Sequence, residues 1–485
     1  MKLFKNRNRS RRFFIGLICF LLAMPSFLGI GSSKTAEAAI SPLITSYKPQ
    51  AVSADVNASY TDANGNTVSG TIHHPGIAMS LADLDNMRDH VRAGDEPWNT
   101  AFAAFAADPQ SSKTPRILYE EGRDVFVNIR GPWAETIDGF YYSNPSDYAG
   151  TRANTDALVA FKQAIMWYIT GDEAYRSNAM YIIRAYSGIQ SVVTHTSFRF
   201  ATMTYLLTGA AEIMRYSDTP TNSLKWTATD TQNLTNMMEL CSVTYNPHSF
   251  FMNQHQFTVM GTMARAIFTN DLELYAEAVE ATTVNVLGQD GGRNGSIKHE
   301  MRLMTHNEMT GEPLDPSDVH VQLMEMGRDA GHSYANIAGL STLAQTIYAQ
   351  GTKVDPVNGT ISTAANAVNP FNFLDDRLLE GTTYALKYHL GYDVLWTPAV
   401  ANQTYDGQIF DKIDPYLRGR IDPFLSVLYN YYKYIEGMNM TQEKYKYLAY
   451  AYETRMPEVA GKDYPLATLL YTPDAAQADG LSNRI

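Results

Sequence analysis

From about residue 80 to about residue 455 the chain repeats one pattern: apolar residues three and four apart, in helix-length segments separated by polar joints. The spacing predicts helices over 81–93, 98–107, 154–170, 172–187, 199–217, 228–241, 253–269, 271–286, 332–350, 375–390, 422–436 and 441–454. Ser80 with Asp83 forms a capping-box start for the first of these, and Gly94 ends it. Thr170-Gly171-Asp172 and Thr269-Asn270-Asp271 are tight joints, each with an Asp placed to cap the next helix. Such joints fold consecutive helices back on each other. Paired antiparallel helices in series admit an (α/α) toroid, incomplete or closed, or an open solenoid. The absence of a strict repeat period favours the toroid. Strong strand patterns are missing from the middle of the chain, so the fold class is all-α, with a short N-terminal β-arm. In that arm Asp62-Ala-Asn-Gly-Asn66 reads as a turn between strands Ser59–Thr61 and Thr67–Ile72.

The first residues read as a secretory signal. Lys2, Lys5, Arg7, Arg9, Arg11 and Arg12 precede the apolar run 13–30, and Ala36-Glu37-Ala38 resembles a cleavage site. The expected organisation is a signal peptide over 1–38, an arm or linker over 39–75, one helical domain over 76–456 and a tail over 457–485. Cleavage would take away seven Lys/Arg and one Asp/Glu, shifting the net charge from −12 to −18. So acidic a chain argues against nucleic-acid and anionic-membrane partners. It leaves room for a polyanionic sugar held by a local basic patch. Cys241 would be the one cysteine left, so no intramolecular disulfide is expected. With no second apolar span, the expected location is secreted or periplasmic.

Two polar clusters stand where loops run into apolar helices. One is Arg328, His332 and Tyr334, followed by Ile337, Leu340, Leu343, Ala344 and Ile347 on one helical face. The other is Asn253 and His255, ahead of Val259, Met260, Met263 and Ile267. A guanidinium, imidazoles, a phenol and an amide on rigid supports are the groups needed to remove a proton next to a carboxylate. Each has a structural alternative. Arg328 could pair with Glu325 or Asp329, and Tyr334 and His255 could be core residues. Three long loops, 108–153, 287–331 and 391–421, interrupt the helices. The first carries Arg130, Trp133, Tyr141 and Tyr142, rings suited to stacking on sugars or to packing the loop down. The second carries Arg293, Lys298 and Arg302, a basic patch or a solvated surface. Its histidines lack regular ligand spacing, so no metal site is assigned.

Several segments together resemble the alginate-lyase-like polysaccharide lyases. These are His74-Pro-Gly76, Trp167-Tyr-Ile-Thr-Gly-Asp172, Asn253-Gln-His255, Gly327-Arg328-Asp329-x-Gly331-His332, Arg377-Leu-Leu-Glu-Gly381 and Lys387-Tyr-His-Leu-Gly391. The likeness covers roughly residues 73–395. It implies an α/α toroid, β-elimination of a uronate-containing polysaccharide and no obligatory organic cofactor. In the family an Asn and a His lie side by side and an Arg shortly precedes a catalytic Tyr. Here Gln254 separates Asn253 from His255, and Tyr334 follows Arg328 by six residues. On this reading Asn253 and Arg328 neutralise the uronate carboxylate and Tyr334 donates a proton to the departing oxygen. His255, His332 or Tyr334 is the base. A glycoside hydrolase using paired carboxylates and a non-catalytic sugar-binding protein are the alternatives.

Overall fold

In the structure, a computed structural model, residues 41–119, 135–137, 140–142, 145–189, 192, 198–245, 250–286, 295–402, 408–461 and 463–479 are described. The expected signal segment 1–38 therefore lies outside the described residues.

A hairpin opens the chain: β1 (Ala54–Thr61) pairs antiparallel with β2 (Thr67–His74) around the anticipated turn. The strands are longer than expected because their outer halves alternate polar and small residues rather than apolar ones. Next come α1 (Leu81–Ala93) and α2 (Trp98–Ala107), with the Ser80–Asp83 capping box in place. The short strands β3 (Glu135–Ile137) and β4 (Phe140–Tyr142) follow. Then come the helical pairs: α3 (Pro145–Thr170) with α4 (Glu173–Ser187), α5 (Arg199–Tyr216) with α6 (Ala228–Ser242), and α7 (Met252–Thr269) with α8 (Leu272–Thr283). Joint chemistry explains why each partner reverses. Gly171 and Asn270 both take left-handed backbone, with φ of 72° and 61°. Asp172 and Asp271 then cap α4 and α8 by accepting the amides of Ala174 and Leu274, each at 3.0 Å.

The loop expected over 287–331 is largely structured. It holds the short α9 (Ile297–Glu300) and a hairpin of β5 (Met301–Met304) and β6 (His320–Leu323). After it come α10 (Ala330–Ala349) and α11 (Phe373–His389), the hairpin β7 (Ala399–Asn402) with β8 (Gln408–Phe410), and then α12 (Ser426–Asn430), α13 (Glu443–Glu453) and α14 (Thr468–Tyr471). The helix expected over 422–436 is only α12 followed by one π-type turn, Tyr431–Ile435.

The helices form two layers. The series α1, α3, α5, α7, α10, α12, α14 packs each on the next, and α14 returns to α1, closing the ring of the α/α toroid. Helices α4, α6 and α8 lie outside it, against their sequence neighbours. Inner helices are buried all round. In α10, Ile337, Leu340, Leu343, Ala344 and Ile347 have no exposed surface, and Ala338 and Thr346 on its other faces have none either. Because α4 and α6 each reverse the chain, α3, α5 and α7 run parallel and start at the same end of the ring.

The N-terminal hairpin is fastened to this ring by a buried histidine. His74 Nδ1 lies 2.8 Å from Glu212 Oε2 on α5, and its Nε2 lies 2.8 Å from Asn270 Oδ1 at the end of α7. Burial disfavours the imidazolium, but the hydrogen bond and charge of Glu212 outweigh it and hold the group above its usual range. Replacing His74 with Ala would leave the Glu212 carboxylate buried without its partner. We expect a loss of about 3 kcal/mol, measured by denaturant unfolding near pH 6. The folded value is raised, so this stabilisation is full below the unfolded value of 6.5. It fades as pH rises through the folded value, and the gap between wild type and H74A should narrow towards pH 9.

Candidate functional site

The two clusters singled out in the sequence meet. The first turn of α7 and the residues leading into α10 are joined through Glu325, which is fully buried. Its Oε2 accepts the Asn253 backbone amide at 3.1 Å and the Asn336 side-chain amide at 2.7 Å. Its Oε1 accepts Arg328 Nη1 at 2.9 Å. Asn336 in turn accepts from the Gln256 amide, which also donates to the Gly295 carbonyl. Glycine is needed along this seam: a Cβ on Gly295 would overlap the Met252 carbonyl oxygen, and one on Gly339 would overlap the Gln256 side chain. Neither Glu325, Gln256 nor Asn336 stood out in the sequence. The available signal was an acid three residues before Arg328, read as that arginine's alternative partner and as one of the carboxylates open to a hydrolase; the pairing with Arg328 is present.

Asp329 caps α10 by accepting the His332 amide at 2.9 Å. The same carboxylate holds the His332 ring, with Nδ1 2.6 Å from Oδ2. Its bonds to His332 keep the Asp329 carboxyl below the ordinary range despite its burial. The His332 side chain is 35% exposed and that of Arg328 31%, so both reach the surface at one mouth. An imidazole whose Nδ1 hydrogen is given to a carboxylate presents Nε2 as a proton acceptor.

His255 and Tyr334 are placed differently. His255 is buried, with Nε2 3.0 Å from the Ala281 carbonyl. Tyr334 is buried on the other side of α10. Its hydroxyl donates to the Arg420 carbonyl at 2.9 Å and its ring lies against His389. Helix α10 already begins at Ala330, so positions 332 and 334 diverge as on any regular helix. Burial, then the Asp422 charge, push the Tyr334 phenol well above its usual range.

Of the expected substrate-binding residues, Lys298 is exposed on α9. Arg302 is committed to Glu308, with both carboxylate oxygens at 3.0 Å, and to the Val400 carbonyl. Tyr141 and Tyr142 lie in β4, with side chains outside the described residues. Arg130, Trp133 and Arg293 are also outside them. Among the described residues no cluster of three His, Cys, Asp or Glu is placed to hold a metal ion.

Two titratable neighbours complete the site. Glu300 is buried beside Glu325, and burial followed by the Glu325 charge raises its carboxyl well above 4.5. Burial, with Arg302, Lys298 and His255 nearby, pulls the His299 imidazole down to about 4. A third group enters from α5: Arg199 lies 3.6 Å from Asp463, which also accepts from Asn154 of α3. Beside Asp463, the Tyr464 hydroxyl donates to the Ala335 carbonyl of α10 at 3.1 Å. The first turns of α5, α7 and α10, with Asn154 of α3, thus gather at one end of the ring, where the helix dipoles favour negative charge.

A family model described as alginate lyase matches residues 131–377. No curated protein matches the sequence. Among solved structures, alginate lyase A1-III from Sphingomonas species A1 aligns at 10% identity with a TM-score of 0.49, over 82% of this chain and 98% of that one.

The raised Glu300 carboxyl makes the native state pH-sensitive. Its folded value is raised, so native stability falls as pH rises above 4.5, the value for the unfolded chain. Glu300→Gln removes that loss. Its melting temperature should match wild type near pH 4 and exceed it at pH 8, which thermal unfolding at the two pH values would measure.

Proposed function

The chain belongs to the alginate lyase family and is a polysaccharide lyase, and from that footing we propose that it cleaves a uronate-containing polysaccharide, of alginate or glucuronan type, by β-elimination. The observation that carries the proposal is the meeting of α7 and α10 across Glu325, whose carboxylate accepts from both the Asn253 backbone and Arg328.

In this reading the uronate carboxylate lies against Arg328, whose guanidinium spends one arm on Glu325 and has further donors for the substrate. Asn253 adds a hydrogen bond donated by its side-chain NH2. Neutralising the carboxylate lets negative charge spread onto it as the C5 proton leaves, an effect of several kcal/mol in comparable sites. His332 Nε2, oriented by Asp329, accepts that proton. The C5–H electrons form the C4–C5 double bond, the C4–O bond breaks, and the departing oxygen keeps its electron pair. The protonated His332 is then the nearest donor to that oxygen. His255 ties the first turn of α7 to α8 through the Ala281 carbonyl. Tyr334 supports α10 rather than exchanging protons, since its hydroxyl is committed and its phenol resists ionisation.

No helix among the described residues is long and apolar enough to cross a membrane. With the signal pattern of residues 1–38, this supports export to the outside or the periplasm, where a polymeric substrate would be met. Mass spectrometry of the exported protein should find Ala39 as its first residue.

Incubation with alginate, polyglucuronate, polygalacturonate and hyaluronan should produce ultraviolet absorbance from the new double bond with at least one polymer. Reducing ends without absorbance would indicate a hydrolase, and neither product a binding protein. His332→Ala should lower kcat by about a thousandfold. Tyr334→Phe should retain most of the activity. Full activity in H332A would end the assignment of His332 as base.

A further inference from the structure

We propose that Arg199 binds the carboxylate of a second uronate in the same chain, next to the sugar that reacts, through a guanidinium the fold holds only loosely. This rests on the acidic-polysaccharide reading and adds a subsite to it.

Most arginines described are fully engaged. Arg176 donates to the carbonyls of Leu224 and Met214 and to Ser217, and Arg184 straddles Asp230. Arg199 is different. Its nearest carboxylate oxygen is Asp463 Oδ1 at 3.6 Å, and its side chain makes no hydrogen bond among the described residues. That Asp463 oxygen is already occupied by the Asn154 amide, so Asp463 keeps its place without Arg199. The guanidinium rests over the Phe198 ring, 5.7 Å from its centroid, and the side chain is 29% exposed.

Its support is rigid. The Phe198 ring stacks on Phe257 of α7 at 5.1 Å, and Phe257 stacks on Tyr464 at 5.6 Å. The Tyr464 hydroxyl closes the stack onto α10, within three residues of His332. The charges of Asp463, Glu325 and Arg199 all act on that phenol, so Arg199 and Glu325 both lie near Tyr464. A long, half-exposed ion pair contributes little, whereas a two-pronged hydrogen bond from guanidinium to carboxylate contributes more. Exchanging Asp463 for a substrate carboxylate is therefore favourable. In a chain of net charge −12, a fixed cation beside the reacting sugar is also what retains an acidic polymer.

The test compares full-length wild type, R199Q and D463N. Binding of alginate and polyglucuronate oligosaccharides and their methyl esters is measured by calorimetry, and KM and kcat by absorbance. R199Q should weaken binding of the acidic oligosaccharides and raise KM by about tenfold with kcat within about twofold, the loss expected for one charged hydrogen-bonded contact. The esters should bind wild type and R199Q alike. D463N should bind the acidic oligosaccharides more tightly. Unchanged binding in R199Q overturns the proposal, as does a D463N variant that binds as weakly as R199Q. Should R199Q fail to fold, D463N decides alone: tighter binding supports the subsite, and equal or weaker binding removes it. Lack of absorbance with wild type would sink the lyase reading, while the binding comparison would still judge Arg199.

Discussion

A carboxylate with no exposed surface is costly unless donors surround it, and in this protein the starts of α7 and α10 supply them to Glu325. The exchange is mutual. Orphan amides at a helix start need an acceptor, and the helix dipoles there favour a negative charge. One buried acid thus ties two distant stretches of chain together and aims Arg328 at the mouth. Losing the acid would leave an amide, a carboxamide and a guanidinium all facing a gap, so the site and the ring share this interaction.

Next to it, burial and then the Glu325 charge favour the neutral form of the Glu300 carboxyl, against the weaker pull of Arg302 and Arg328. The seam thus sets two carboxyl groups beside the guanidinium of Arg328. The charge balance outside the seam is different. An acidic protein gathers the starts of parallel inner helices, with Arg199, Arg328 and His332, at one end of the ring. The helix dipoles at that end favour negative charge, against the sign of the chain's net charge.

Much of the fold was legible because inner helices carry a strong period and their joints carry strong chemistry. Gly171-Asp172 and Asn270-Asp271 name both the end of one helix and the start of the next. The hairpins in 297–323 and 399–410 were not legible, because strands of three or four residues that lie against helices show no alternation to read. For the site, the meeting of Asn253 and Arg328 was expected from two similar caps. Separating His332 from Tyr334 required the start of α10, and a boundary shift of two residues decides whether they share a face. The reach of Glu325 to α7, and Arg199, were hidden for a simpler reason. Nothing local distinguishes a charged residue that reaches across the fold from one that faces water.

The glycines of the seam set what can vary in a molecule built this way. Gly295 and Gly339 leave no space for even one methyl between the backbone of α7, the Gln256 side chain and α10. Drift in the inner wall is closed off, so a change of preferred sugar has to come from the rim. A lineage of such proteins would diversify its diet by rewriting loops while its inner seam stayed the same.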